Sequence, residues 1–184
     1  LPEMDLSGYK MILFLNPFRM EGLDAIIEKT APDCHILWNY APGILGDGFG
    51  LANTQKLTGF SLAEHKEEEC YPVLAIQPQE EQTVLERFLD GRARLAQTKK
   101  AGRTYLLDAM PRDMTPETMQ QLLMAAGVHI YAPAKCVVHT DSRFLYVLAE
   151  KTMQVPIRLR QKAACKNVFT GEIFSAEDEI VLNM

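Results

Sequence analysis

The chain has 184 residues, 47% of them hydrophobic and 23% charged, with a formal net charge of −5. That composition is ordinary for a folded domain and excludes a fibre or a disordered tail. The acidic balance argues against nucleic acid as a partner, since backbone recognition needs Lys and Arg gathered on one face, and no apolar run approaches the roughly 20 residues of a membrane-spanning helix.

Tyr9–Asn16, YKMILFLN, is a nearly continuous apolar run closed by Pro17, the pattern of a strand buried on both faces of a parallel sheet. MEGLDAIIEKTAP then places Leu23, Ile26 and Ile27 at helical spacing and stops before Pro32, predicting an amphipathic helix of about three turns. CHILWNY supplies the next strand, so the first forty residues read as a right-handed βαβ unit. GLANTQKLTGF reads as a short helix ending at Gly59, Tyr71–Ile76 as a strand, and QPQEEQ as a surface loop. RARLAQTKK and RTYLLDAM are extended segments separated by Ala101-Gly102, the second more apolar and more central. TPETMQQLLMAAG is the clearest helix, with Thr115 as cap, Pro116 and Glu117 in the first turn and Gly127 at the end. Val128–Tyr131 returns as a short strand.

From Pro133 onward strand follows strand: CVVHT, RFLYVLAE, TMQVPIRLR, CKNVFTGE and DEIVLNM, with turns at Asp141-Ser142, Glu150-Lys151 and Thr170-Gly171. The predicted architecture is α/β: a flavodoxin-like sandwich with a mainly parallel sheet over residues 1–132, and a small antiparallel β appendage over 133–184.

Cys34, Cys70, Cys136 and Cys165 are scattered without a CxxC pair, which excludes a zinc knuckle and a dithiol motif and points to free thiols in a reducing, cytoplasmic setting. In CVVH, Cys136 and His139 would face opposite sides of a strand, so His139 reads as structural and no metal is expected. The loop APGILGDGFG lacks the Gly-Lys-Ser/Thr ending of a phosphate loop and does not join a strand directly to a helix, so no cofactor is expected. No strand end offers a Ser or Cys elbow. KEEEC is a charge run without the apolar setting of an acid–base pair, and the basic stretch GRARLAQTKKAGR reads as a solvated surface or an edge strand.

Open parallel sheets bind ligands outside the carboxyl ends of their strands. Those ends carry Asn16 with Phe18 beyond it, Tyr40 leading into Pro42 and Gly43, Asp108, and Tyr131. With Trp38 as a further aromatic anchor, this rim suits a sugar or a partner chain.

YKMILFLNPFRM, ILWNYAPGI, LTGFSL, AGVHIY and VFTGE occur in this order and resemble the glutamine-amidotransferase-like domain, often called the trimerisation domain, of bacterial β-galactosidase-like glycoside hydrolases. The resemblance implies a class I amidotransferase-like fold without the cysteine nucleophile, preceded in the parent protein by a catalytic barrel and followed by a small β domain. It further implies a noncatalytic role in subunit assembly and in shaping the surroundings of the barrel. The expected partners are then the other domains of the parent chain, identical subunits, and a carbohydrate at one wall. A start at LPEMDLSGYK fits a segment of a longer protein. Two rivals are a cysteine-dependent amidotransferase or hydrolase using His129 or His139, and an independent sugar-binding module using the strand-end rim.

Overall fold

The computed structural model describes residues 4–46, 48–67, 72–110, 114–141 and 143–183; Cys70, Tyr71, Pro111, Ser142 and most of the KEEEC run lie outside them. The chain divides into two compact units, Leu1–Met114 and Thr115–Met184. The first contains β1 (Met11–Phe14), α1 (Leu23–Glu28), β2 (His35–Asn39), α2 (Leu51–Thr58), β3 (Ser61–Glu67), β4 (Pro72–Gln77), β5 (Thr83–Arg87), β6 (Ala93–Lys100) and β7 (Arg103–Asp108). The second contains α3 (Pro116–Ala125), β8 (Cys136–Thr140), β9 (Leu145–Ala149), β10 (Gln154–Lys166) and β11 (Ile173–Asn183). No helix among the described residues is long and apolar enough to cross a membrane.

The predicted flavodoxin-like, amidotransferase-like sandwich is not what the chain forms. Strands take 44% of the described residues and helices 14%, and the main sheet is mixed. Its order is β1-β2-β7-β6-β4-β3, with β5 paired to β6. Only β1, β2 and β7 run parallel; β7–β6, β6–β4, β4–β3 and β6–β5 are antiparallel. The physical reason lies in the connections. Ala101 and Gly102 hold φ of 50° and 84°, the two positive values of a type I′ turn, and a two-residue turn can only join antiparallel neighbours. Ala101 bears a Cβ in the left-handed region, so Ala101→Asn is expected to raise the unfolding free energy by about 1 kcal/mol in a urea titration.

The βαβ unit is present, with β1 and β2 parallel and Phe14 opposite Trp38. β1, however, is an edge strand, half-exposed rather than buried on both faces, and α1 has six residues instead of about three turns. Its cap, Gly22, offers no side-chain oxygen to the first amides. β2 is the buried strand: Ile36, Leu37 and Trp38 are inaccessible. Ile36 and Trp38 pack with Leu23, Phe60, Leu74 and Leu107 in the core. α2 ends where expected, with Gly59 in the left-handed region. β3 and β5 have no counterpart among the predicted elements.

In the second unit α3 matches its signals. The Thr115 hydroxyl accepts a hydrogen bond from the Thr118 amide at 3.1 Å, and Thr115→Ala is expected to cost about 1 kcal/mol of stability, read from thermal unfolding followed by circular dichroism. The Gln120 amide ties α3 to the loop beyond it, donating to the Ala132 carbonyl and accepting from the Ala134 amide. Val128–Tyr131 is not a strand, and CKNVFTGE is not a separate one. β10 runs on through Cys165 to Lys166, turns over Asn167–Glu172, and pairs with β11. β8 and β9 form a second hairpin, and the inner faces of both hairpins share a small core around Val155 and Ile157.

Candidate functional site

Because β1, β2 and β7 are parallel and adjacent, their carboxyl ends fall on one edge of the sheet. Two residues without the freedom of glycine adopt positive φ there: Asn16 at 45° and Tyr40 at 65°. Asparagine tolerates this region; a bulky side chain does so only when its surroundings hold it. At Tyr40 the backbone amide donates to the Asp108 carbonyl at 2.7 Å and the phenol donates to the Pro72 carbonyl at 2.5 Å. The Phe18 ring meets it edge-on, with centroids 6.1 Å apart. The following loop is fastened to the end of β1, since Gly43 N–H donates to the Pro17 carbonyl and Leu45 N–H to that of Phe18, both at 2.8 Å. Gly43 is required: φ is 70°, and a Cβ would stand 2.7 Å from Leu57 Cδ2.

The rim is less open than its residue types suggest. Trp38, Tyr40, Pro42 and Gly43 are buried, leaving Asn16 and Phe18 in solvent. Trp38 belongs to the core, where it stacks on Phe14 at 4.5 Å, and so is not a surface anchor. Tyr131 does not end a strand. It lies in the second unit, with the His129 ring perpendicular at 4.5 Å and the Arg160 guanidinium 5.9 Å above its face.

Asp108 is wholly buried. Its Oδ1 accepts from the Met110 amide at 3.1 Å and from Arg94 Nε at 3.4 Å, while Oδ2 has no hydrogen-bond partner among the described residues. Burial pushes the carboxyl above its ordinary range, outweighing the downward pull of Arg94. Arg94 also lies 3.6 Å from Glu86 on β5. The Asn39 side chain donates to the Met110 carbonyl at 2.7 Å, so Asn39 and Asp108 together clip the chain leaving β7. Arg94, Glu86 and Asn39 were not singled out from sequence; a cation inside the otherwise apolar run ARLA is the signal for the first.

What the rim does expose is apolar. Leu15 is 70% exposed, Leu45 46% and Phe49 80%, beside Phe18 at 37%. The signal was a pair of large apolar residues inside a glycine-rich loop. Cys34 is buried, and burial raises its thiol away from the reactive thiolate. Cys136 packs toward the core of the second unit while His139, on the same strand, is exposed on the other face.

No protein-family model and no curated protein matches the chain by sequence. Solved structures do resemble it in fold. A β-galactosidase from Bacillus circulans sp. alkalophilus matches over 99% of this chain and 33% of its own, with a TM-score of 0.62 and 14% identity. A polyextremophilic β-galactosidase from the Antarctic haloarchaeon Halorubrum lacusprofundi matches over 100% and 32%, with a TM-score of 0.58 and 14% identity. A catalytic mutant of a GH42 β-galactosidase from G. stearothermophilus matches over 99% and 31%, with a TM-score of 0.57 and 15% identity. The chain therefore spans about a third of the length of the β-galactosidase chains whose fold it shares.

Proposed function

We propose that this chain is a noncatalytic accessory domain of a larger, β-galactosidase-like glycoside hydrolase, acting in the cytoplasm. Through the carboxyl-end rim it docks against other domains of its parent or an identical subunit, contributing to assembly and to one wall of a carbohydrate site. The observation that carries this reading is the fold match, which runs the whole length of this chain yet takes up only a third of each β-galactosidase. Supporting it is the rim itself, a strained and firmly tied turn at Tyr40 next to exposed Phe18, Leu45 and Phe49. Large apolar side chains held on a rigid base are the usual anchors of protein interfaces. Against the cysteine-dependent alternative stands the burial of Cys34, while Cys136, which opens β8, and Cys165, near the end of β10, lie on hairpin strands and not on a strand-to-helix elbow.

The test is sedimentation velocity and galactosidase assay of the parent protein carrying Phe18→Ser and Phe49→Ser. Both side chains are exposed, so the fold should survive. Dissociation to smaller species, or a raised KM for galactoside, is expected. A parent with unchanged assembly and unchanged activity would rule the proposal out.

A further inference from the structure

The two hairpins of the second unit differ in length: β10 and β11 have 13 and 11 residues, β8 and β9 five each. At about 3.3 Å per residue the longer hairpin outruns the shorter by about 25 Å. The proximal half of the long hairpin packs on β8 and β9; the distal half borders a groove of about 810 Å3. A two-stranded ribbon with one uncovered apolar face is marginal by itself.

Three properties of the groove specify what would cover it. Its walls are apolar, with Leu145, Leu159, Phe169 and Phe174. Its cations outnumber its free carboxylates: Arg143, Arg160 and Lys166 line it and none makes an ion pair among the described residues. Of its two acids, Asp141 already accepts the Arg143 and Phe144 amides at 2.6 and 2.7 Å, which leaves Glu172. Finally, the β10–β11 ladder breaks beside the groove, passing from Arg158 opposite Glu179 to Ala163 opposite Glu177. Residues 159–161, which line the groove, therefore bulge out of the ladder, with no register partner among the described residues of β11. Backbone amides and carbonyls need hydrogen-bonding partners that an acyl chain lacks and another backbone supplies.

We propose that this groove binds an extended polypeptide segment of alternating apolar and acidic residues, added as a strand along β10 beyond Arg158. Its apolar side chains cover Leu159 and Phe174, its carboxylates meet Arg143 and Lys166, and its backbone pairs with the bulged residues 159–161. The hairpin tip is ready for this role. The Asn167 side chain accepts the Phe169 amide at 2.9 Å and the Gly171 amide donates back to the Asn167 carbonyl at 2.8 Å, which fixes the turn while Phe169 stands 87% exposed. A preorganised turn reduces the ordering cost of binding.

The test measures fluorescence anisotropy on the full chain with labelled seven-residue peptides of alternating leucine and glutamate. Binding is expected, about tenfold tighter than that of the leucine–lysine counterpart and lost when alternate peptide amides are N-methylated. Arg143→Glu with Lys166→Glu should reverse the preference between the two peptides. Should that variant not fold, wild-type affinity for the leucine–glutamate peptide should still fall as salt is raised. No binding at millimolar peptide, equal affinity for both charge types, indifference to N-methylation or to salt, or displacement by dodecanoate would each overturn the proposal.

Discussion

Replacing Trp38 with alanine is expected to lower the unfolding free energy by about 3–5 kcal/mol, a large fraction of what a domain of this size possesses. The side chain is 1% exposed and lies on β2, between Phe14 on β1 and Leu107 on β7 in register. Its ring is stacked on Phe14 at 4.5 Å with planes 19° apart. Alanine there opens a cavity under both neighbouring strands, and backbone ladders on either side prevent collapse. Trp38→Phe separates packing from polarity. The indole Nε1 is buried without a hydrogen-bond partner among the described residues, so phenylalanine keeps a stacked ring and removes an orphaned donor, which itself costs about 1–3 kcal/mol. The phenylalanine variant should therefore lose no more than about 1.5 kcal/mol. Because Trp38 is the only tryptophan, the series is followed by far-ultraviolet circular dichroism in urea. Equal losses for the two variants would show that ring packing is not what Trp38 contributes.

The capping signals of α2 and α3 were the legible part of the fold; the extent of α1 was not. Thr115, Pro116 and Gly59 act through local hydrogen bonds and backbone preferences, and each stands where its residue type predicts. Beyond the β1–β2 pair, strand direction in the main sheet was not legible, because an apolar run such as RTYLLD carries no record of whether its neighbour runs with it or against it, whereas the antiparallel hairpins after Pro133 were read from their short turns. The Ala101-Gly102 pair did carry that record, through a turn geometry that admits only a hairpin. Val128–Tyr131 shows the converse error: residues favourable in strands do not make one without a partner ladder.

At the rim, Asn16, Phe18, Tyr40 and Asp108 were readable as residues at or just beyond strand ends, and the parallel β1-β2-β7 order gathers those ends on one edge. Whether each faces solvent was not readable, since Tyr40 is turned inward by its positive φ and by the Pro72 carbonyl. Arg94 escaped notice because its contact with Asp108 depends on the β6–β7 register, which sets Leu95 opposite Asp108 and brings the preceding side chain alongside.

That contact carries the other large effect. Arg94→Met is expected to cost about 3 kcal/mol, because it leaves a buried carboxylate without its counter-charge. Asp108→Asn should cost far less. It keeps an oxygen to accept the Met110 amide and removes the charge that burial penalises, while Arg94 retains Glu86. The pH dependence distinguishes an ionic role from a merely steric one. Burial raises the Asp108 carboxyl above its ordinary 3.8, so the folded protein holds that proton more tightly than the unfolded chain does. Its favourable contribution is complete below 3.8 and is lost as pH rises through the raised value. Relative to Asp108→Asn, wild type should gain stability on acidification across that window. Without Arg94 the downward pull on the carboxyl disappears, the raised value moves further up, and the window widens toward neutrality. Urea midpoints for wild type, Asp108→Asn and Arg94→Met across the acid range give the comparison. A deficit of Arg94→Met that stays constant at every pH would mean that the guanidinium acts through packing alone; a deficit that shrinks on acidification identifies Asp108 as the group whose charge it offsets.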